Sequence, residues 1–252
     1  MTVNFKHALV TGGGSGIGRA IAEALAQAGV AVTICGRRLE ALVEVARGQA
    51  NIHAQVADVT DEASVAQLYE SAQAARGPFD IVVANAGMAV SAPAGKTSLD
   101  LWQQTMNVNL TGAFLSVRPA VDTMRKAGGG RIVFIASIAG LKGAPYIAAY
   151  VASKHGVVGL TRALAAELAH TSVTVNAICP GYVETPLLER TVANIIEKTG
   201  RDEATARAAV TKDNPQGRIL DPQEIAETVL WLCSPGAQSV TGQAIAMSGG
   251  EA

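Results

Sequence analysis

The sequence predicts an α/β fold, a single doubly wound parallel sheet with helices on both faces and a small helical lid at one end. Three observations carry this expectation. Short β-branched apolar runs alternate with longer stretches of helical period along the 252 residues. A glycine-rich loop stands between the first such run and the first helical stretch. Hydrophobic residues make up 49% of the chain but aromatic ones only 4%, so the core must be built from Ala, Val, Ile and Leu, as a helix-covered parallel sheet is. One α/β core commonly reaches this size, so one domain over residues 1–252 is expected.

The elements follow in order. His7–Thr11 is the first strand, and Ile17–Ala28 the helix that the glycine loop opens. Val30–Cys35 and Ile52–Ala57 are strands flanking a helix over Leu39–Gly48. Glu62–Arg76 is helical and leads to the strand Phe79–Ala84. A long helix over Leu99–Lys126 precedes the strand Arg131–Ser137, and a helix over Tyr150–Leu168 precedes the strand Val173–Cys179. Residues 185–216 break the rhythm with a dense set of charges, bracketed by Pro186 and Pro215, and Gly200 sits near the middle. Two short amphipathic helices joined at Gly200 fit this better than a long structureless loop, which is uncommon inside a compact domain. A helix over Pro222–Cys233 and a strand over Gln243–Met247 complete the chain. Strands alternating with helices form right-handed crossovers, and such sheets bind ligands at the carboxyl ends of their strands.

Composition excludes several classes of function. Twenty basic and 21 acidic side chains give a net charge of −1, so neither nucleic acid nor a membrane surface is an expected partner. Cys35, Cys179 and Cys233 are odd in number and widely spaced, which fits neither a disulfide framework nor a zinc site, and no metal ligand set is expected. The first strand and loop leave no room for a signal peptide, and no apolar run reaches the roughly 20 residues of a membrane span. A soluble cytoplasmic protein is the expectation.

Thr11-Gly-Gly-Gly-Ser-Gly-Ile-Gly18 joins the first strand to the first helix. Glycines permit a tight turn and let a pyrophosphate reach the unpaired N–H groups of the helix N-terminus, so the loop points to a dinucleotide. The end of the second strand decides which dinucleotide. It carries Gly36-Arg37-Arg38 in place of the carboxylate that would hold a ribose 2′-hydroxyl, so NADP(H) is favoured and NAD(H) stays open. Asp58 stands just past the third strand, either to accept from the adenine amino group or to cap the next helix.

Tyr150-Val-Ala-Ser-Lys154 sets a phenol and an ammonium at i and i+4 on one helix face, a pairing able to make tyrosine a general acid/base. Ser137 ends a strand pointing to the same sheet edge. Asn109 lies inside a long helix where Asn has poor propensity, which a kink with a freed, water-holding carbonyl would explain.

In order and spacing, Thr11–Gly18, Asn85-Ala86-Gly87, Asn109, Ser137, Tyr150/Lys154 and Pro180-Gly181 resemble the short-chain dehydrogenase/reductase family over essentially the whole chain. The resemblance implies a Rossmann fold and a catalytic set. Tyr150 donates the proton, Ser137 holds the carbonyl oxygen, Lys154 lowers the Tyr150 pKa and binds the nicotinamide ribose, and Asn109 positions a relay water. It also implies a cofactor lining of Thr11, Gly12, Gly14, Ser15, Gly16, Ile17, Gly18, Arg37, Arg38, Asp58, Val59, Asn85, Ala86, Gly87, Val108, Pro180, Gly181, Val183 and Thr185, joined by Tyr150 and Lys154. Two positions depart from the pattern. Ala84 replaces a frequent Asn, and Ser15 stands where many NADP-dependent members carry a basic residue.

The candidate substrate residues, Ile138, Leu141, Tyr146, Tyr182, Leu187 and Leu188, are mainly apolar and suit a hydrophobic ketone or acyl chain. Cys179–Pro186 and Ser153–Gly159 resemble 3-oxoacyl-thioester reductases and bacterial polyketide ketoreductases most. A carrier-bound substrate would bring phosphates that Arg190, Lys198, Arg201, Arg207 and Lys212 could meet. The alternatives are a dehydrogenase of free aromatic, alicyclic or xenobiotic secondary alcohols and, more remotely, a non-catalytic NADP sensor. The resemblance further implies a homotetramer, with the Leu99–Lys126 and Tyr150–Leu168 helices packed across one interface and the C-terminal strand with Pro222–Cys233 across another.

Overall fold

The computed structural model describes residues 2–252. Seven strands form one sheet in the order β3-β2-β1-β4-β5-β6-β7, with every neighbouring pair parallel. They are β1 (His7–Thr11), β2 (Ala31–Gly36), β3 (Ile52–Val56), β4 (Ile81–Ala84), β5 (Gly130–Ile135), β6 (Val173–Pro180) and β7 (Ala244–Met247). The connecting helices are α1 (Gly16–Gln27), α2 (Leu39–Ala46), α3 (Glu62–Arg76), α4 (Leu99–Met106), α5 (Gly112–Ala127), α6 (Ala148–Glu167), α7 (Pro186–Thr199), α8 (Glu203–Thr211) and α9 (Pro222–Leu232). The chain reverses direction across the sheet between β1 and β4, the crevice where open parallel sheets bind ligands.

Period-two alternation sorts the strand side chains to the two faces. Ala8 and Val10 join the layer formed with Ile21, Leu25 and Val229 of α1 and α9, whereas Leu9 joins Leu68, Val117 and Val157 of α3, α5 and α6. Both faces are covered, so central strands such as β1 and β5 are buried along their whole length.

The expected boundaries shift by one or two residues at most strand and helix ends, as fraying and local caps dictate. Three differences matter for the site. The strand expected over Arg131–Ser137 ends at Ile135, and Ser137 instead caps a short 3-10 turn over Ile138–Gly140, accepting from the Ala139 N–H at 3.1 Å. The single helix expected over Leu99–Lys126 is interrupted by a π turn over Asn107–Thr111. Asp58 does not cap the next helix. Asp61 does, while Asp58 accepts from the backbone and hydroxyl of Thr60.

Two short helices occupy residues 186–211 and meet near Gly200, as the sequence predicts. α7 ends at Gly200, which adopts the left-handed conformation at φ +67° that a side chain resists. α8 follows, and Leu188, Val192, Ala206 and Val210 form a small core of their own. Leu188 is therefore part of the packing inside the lid rather than of a substrate surface, because α8 covers it.

His7 is buried at the start of β1, where its Nδ1 pairs with the Gly77 carbonyl and its Nε2 with the Thr33 hydroxyl. Burial lowers its pKa, and the partly buried His53 shifts the same way. A histidine whose folded pKa is depressed contributes stability above its unfolded pKa of about 6.5, and that contribution is lost as pH falls through the folded value. The thermal midpoint is expected to drop between about pH 7 and about pH 5, and His7→Gln to flatten that drop while lowering the midpoint at neutral pH. Calorimetry across this range checks both statements.

Candidate active site

The glycine loop is a cradle that only glycines can form. A Cβ on Gly18 would lie 2.4 Å from the Gly12 carbonyl oxygen and 2.5 Å from the Asn85 amide nitrogen. Gly12 has φ +66° and sits against Ala86, so both conformation and space exclude a side chain. Ser15 precedes α1 with no side-chain cap bond, and the first turn holds no acidic residue, so the helix N-terminus presents N–H groups and dipole to an anion.

Thr11 acts differently from its neighbours. It is buried, and its hydroxyl accepts from the backbone N–H groups of both Asn85 and Ala86 at 3.0 Å, stapling the end of β1 to the end of β4. The Asn85 amide donates back to the Thr11 carbonyl at 2.8 Å. These two residues shape the loop. Pro180 and Val183 are buried as well, and the Thr185 hydroxyl caps α7 by accepting from Leu188 N–H while its methyl group lies against Gly16.

At the end of β2 a hollow of about 360 Å³ is lined by Arg37, Thr60, Asp100, Gln103, Gln104, Asn107 and Val108. It brings together the expected Arg37 and Val108 and adds the polar face of α4, which no motif marked. Arg38 is the residue immediately before α2.

The catalytic candidates converge on one edge of the sheet. Tyr150 lies in the first turn of α6, at the positive end of that helix, and Lys154 stands one turn later. The Lys154 ammonium is buried 5.7 Å from the centre of the Tyr150 ring and donates to the Ile135 carbonyl at 2.8 Å. No carboxylate pairs with it among the ion pairs of the described residues. One charged hydrogen bond contributes about 1.5–3 kcal/mol, less than the several kcal/mol that desolvating an ammonium costs. Burial therefore wins and holds the Lys154 pKa down to about 8.

Burial also pushes the Tyr150 phenol up, with Tyr182 and Cys179 adding to the rise and the hydrogen bond with the Ser137 side chain opposing it. The net direction is opposite to the lowering that the resemblance implies, because removal from water outweighs the one opposing contact, the hydrogen bond with Ser137. Tyr150 thus holds its proton at neutral pH.

Asn109 makes no use of solvent. Its Oδ1 accepts from the Met88 N–H at 2.8 Å, and its Nδ2 donates to the Met88 carbonyl and to the Ser153 hydroxyl. The Gly112 N–H reaches the Asn107 carbonyl, five residues back, so the helical ladder slips by one residue at this point. Ser153 was missed as a partner, although it lies inside the Tyr150–Lys154 motif. Its spacing of three from Tyr150 was the available signal.

The substrate candidates separate. Tyr182 and Leu187 are exposed, Leu141 is half-buried against the core, and Ile138 and Leu188 are buried. Tyr146 is exposed at φ +67°, the one non-glycine at positive φ among the described residues, and its carbonyl accepts from Ala92 N–H at 2.7 Å. Of the basic residues expected at the mouth, Arg207 is occupied by Glu184, Glu189 and Glu203, and Lys198 by the Ser91 carbonyl at 3.4 Å. Arg207 therefore ties α8 to α7 and to the loop after β6 instead of facing a phosphate.

A family model described as short chain dehydrogenase matches residues 6–195. The chain is 35% identical to a 3-oxoacyl-(acyl-carrier-protein) reductase of Thermotoga maritima, over 99% of either chain. It is equally 35% identical to a D-beta-hydroxybutyrate dehydrogenase of Rhizobium meliloti, over 97% of this chain and 98% of the relative. A crystal structure of a variant of the actinorhodin polyketide ketoreductase with NADPH superposes with a TM-score of 0.94 at 37% identity, covering 100% of this chain and 99% of that one. Full-length similarity joins a cradle closed to side chains and a tyrosine–lysine pair at the same sheet edge, and the chain belongs to the short-chain dehydrogenase family.

Proposed function

We propose that this protein is an NADPH-dependent ketoreductase acting on 3-oxoacyl thioesters or polyketide-type ketones. The convergence of Ser137, Tyr150 and Lys154 beside the glycine cradle is the observation that carries the reading. The cradle and the Arg37 hollow fit a dinucleotide bearing a 2′-phosphate, since the turn admits no Cβ, the helix N-terminus favours an anion and Arg37 can pair with the added phosphate. When bound, NADPH supplies a hydride to the carbonyl carbon.

Tyr150, protonated at neutral pH, donates its proton to the carbonyl oxygen, and the Ser137 hydroxyl orients that oxygen. Lys154 brings one positive charge beside the phenol, steadying the phenolate left after transfer, and has two N–H donors beyond the Ile135 bond for the ribose hydroxyls. Asn109 is a positioning residue. It clamps Met88 to Ser153, and the slipped ladder frees a carbonyl that can hold a relay water. Relatives named 3-oxoacyl-(acyl-carrier-protein) reductase and polyketide ketoreductase support the thioester reading, and the equally similar D-beta-hydroxybutyrate dehydrogenase supports a free hydroxy acid as the second reading. The exposed Leu99, Trp102 and Phe114 on α4 and α5 supply apolar surface for the expected homotetramer of a cytoplasmic enzyme.

Oxidation of NADPH and NADH should be followed separately with acetoacetyl-CoA and with an aryl ketone. NADPH turnover with the thioester is expected, and Tyr150→Phe should lower kcat by about 100-fold or more. Turnover of the aryl ketone alone would move the enzyme to free secondary alcohols. Arg37→Glu should raise the KM for NADPH about tenfold or more relative to NADH, the loss of one charged hydrogen bond. A separate measurement concerns pH. Because Lys154 loses its charge near 8, kcat/KM for NADPH is expected to fall above about pH 8. A profile flat to about pH 10 would place the essential charge elsewhere.

A further inference from the structure

The carboxyl ends of β5, β6 and β7 lie side by side, and a segment leaves each of them at the sheet edge that carries Ser137. After β5 come Ser137 and, one turn on, Lys142, whose N–H bonds the Ile138 carbonyl. After β6 comes Tyr182. After β7 comes the tail that carries Glu251. The tail is fitted closely against its surroundings. Gly181 N–H donates to the Met247 carbonyl at 2.9 Å, and a Cβ on Gly249 would fall 2.1 Å from the Asn214 Oδ1, in the loop returning from the lid.

This packing brings Glu251 onto Lys142. The ammonium donates to the Glu251 carboxylate at 2.9 Å and to the carbonyl of the same residue at 3.3 Å. The Glu251 side chain is 10% exposed, the most enclosed carboxylate among the ion pairs of the described residues, while Lys142 is 40% exposed. An enclosed charge is screened less by solvent and salt than the exposed pairs elsewhere on the surface. Gly140, two residues before Lys142, lies against α6, where a Cβ on it would fall 2.7 Å from the Lys154 carbonyl oxygen, so the pair stands beside the turn that carries Ser137.

We propose that the Lys142–Glu251 pair is a charge filter at the substrate mouth, admitting ketones that are neutral near the reacting carbonyl and disfavouring those that carry a carboxylate there. Bare, Lys142 would attract such a carboxylate. Glu251 occupies two of its three N–H donors and sets a negative charge in the same place, so an anionic substrate meets repulsion and must displace a partner already desolvated. A thioester or ester masks the acid and passes. The filter rests on the ketoreductase reading and refines it, since it separates 3-oxoacyl esters and thioesters from free 3-oxo acids that share their carbon skeleton.

Acetoacetate and its ethyl ester are the probes, one anionic and one neutral at neutral pH. Their Kd is read by NADPH fluorescence in a Tyr150→Phe background, where turnover is suppressed, and kcat/KM is measured alongside on the active enzyme. The native enzyme is expected to prefer the ester. Glu251→Gln should shift the ratio toward acetoacetate by about three- to tenfold with the ester constants nearly unchanged, the effect of removing one charge at this range. Lys142→Gln should shift it the other way, and adding it to Glu251→Gln should cancel the gain. An unmoved ratio, or equal losses for both ligands in both variants, would overturn the filter and leave the pair as a tether of the tail. Tyr150-dependent reduction of the ester reports separately on the proposed reaction. Its absence would fail that reading while the Kd ratio still decides the filter.

Discussion

The site depends on a buried ammonium held by a backbone carbonyl. Lys154 reaches from α6 to Ile135, the last residue of β5, and that 2.8 Å bond sets the distance between helix and strand. Once it is fixed, Tyr150 on the preceding turn and Ser137 beyond the strand face the same small volume. Because no carboxylate neutralises it, the charge remains available to whatever binds beside it, and burial holds its pKa near 8. A carboxylate partner would have made a more comfortable resting state and a weaker site.

The surroundings are braced to tolerate this. Asn109 is fully committed to Met88 and Ser153, which joins the loop after β4 to α6 on the side facing Lys154. Thr11 and Asn85 lock the ends of β1 and β4 where the chain reverses direction in the sheet. Each bond fixes a residue next to one that must keep a free polar group. Rigidity is thus supplied by residues that do no chemistry, and the reacting groups are spared internal partners.

Most of the fold was legible because the signals were local and periodic. The β1–glycine loop–α1 unit, the strand alternation and the two lid helices meeting at Gly200 all follow from residue type and spacing. Asn109 was readable as an anomaly, an amide in a helix interior, and the π turn is its resolution. Other features depend on partners far apart in sequence. Nothing near Arg207 announces that Glu184 occupies it, nothing near Leu188 announces α8, and the meeting of Lys142 with Glu251 spans more than a hundred residues. The direction of the Tyr150 shift was also hidden, since a motif does not display the burial that sets it.

The same long-range assembly shapes the surface around the site. The candidate reacting groups lie in the turn after β5 and on α6, near the middle of the chain, whereas α7, α8 and the tail after β7 come later in sequence. Arg207 binds the lid helices to each other and to the β6 loop through three carboxylates, and Asn214 receives the tail against Gly249. None of these contacts involves Lys154 or its bond to Ile135, so the later segments are braced independently of it. The family motifs are concentrated on the stretch from Ser137 to Lys154, whereas the surface around it is assembled from segments far apart in sequence that meet at the carboxyl edge of the sheet, which is why motifs centred on Tyr150 mark the family more sharply than the molecule it acts on.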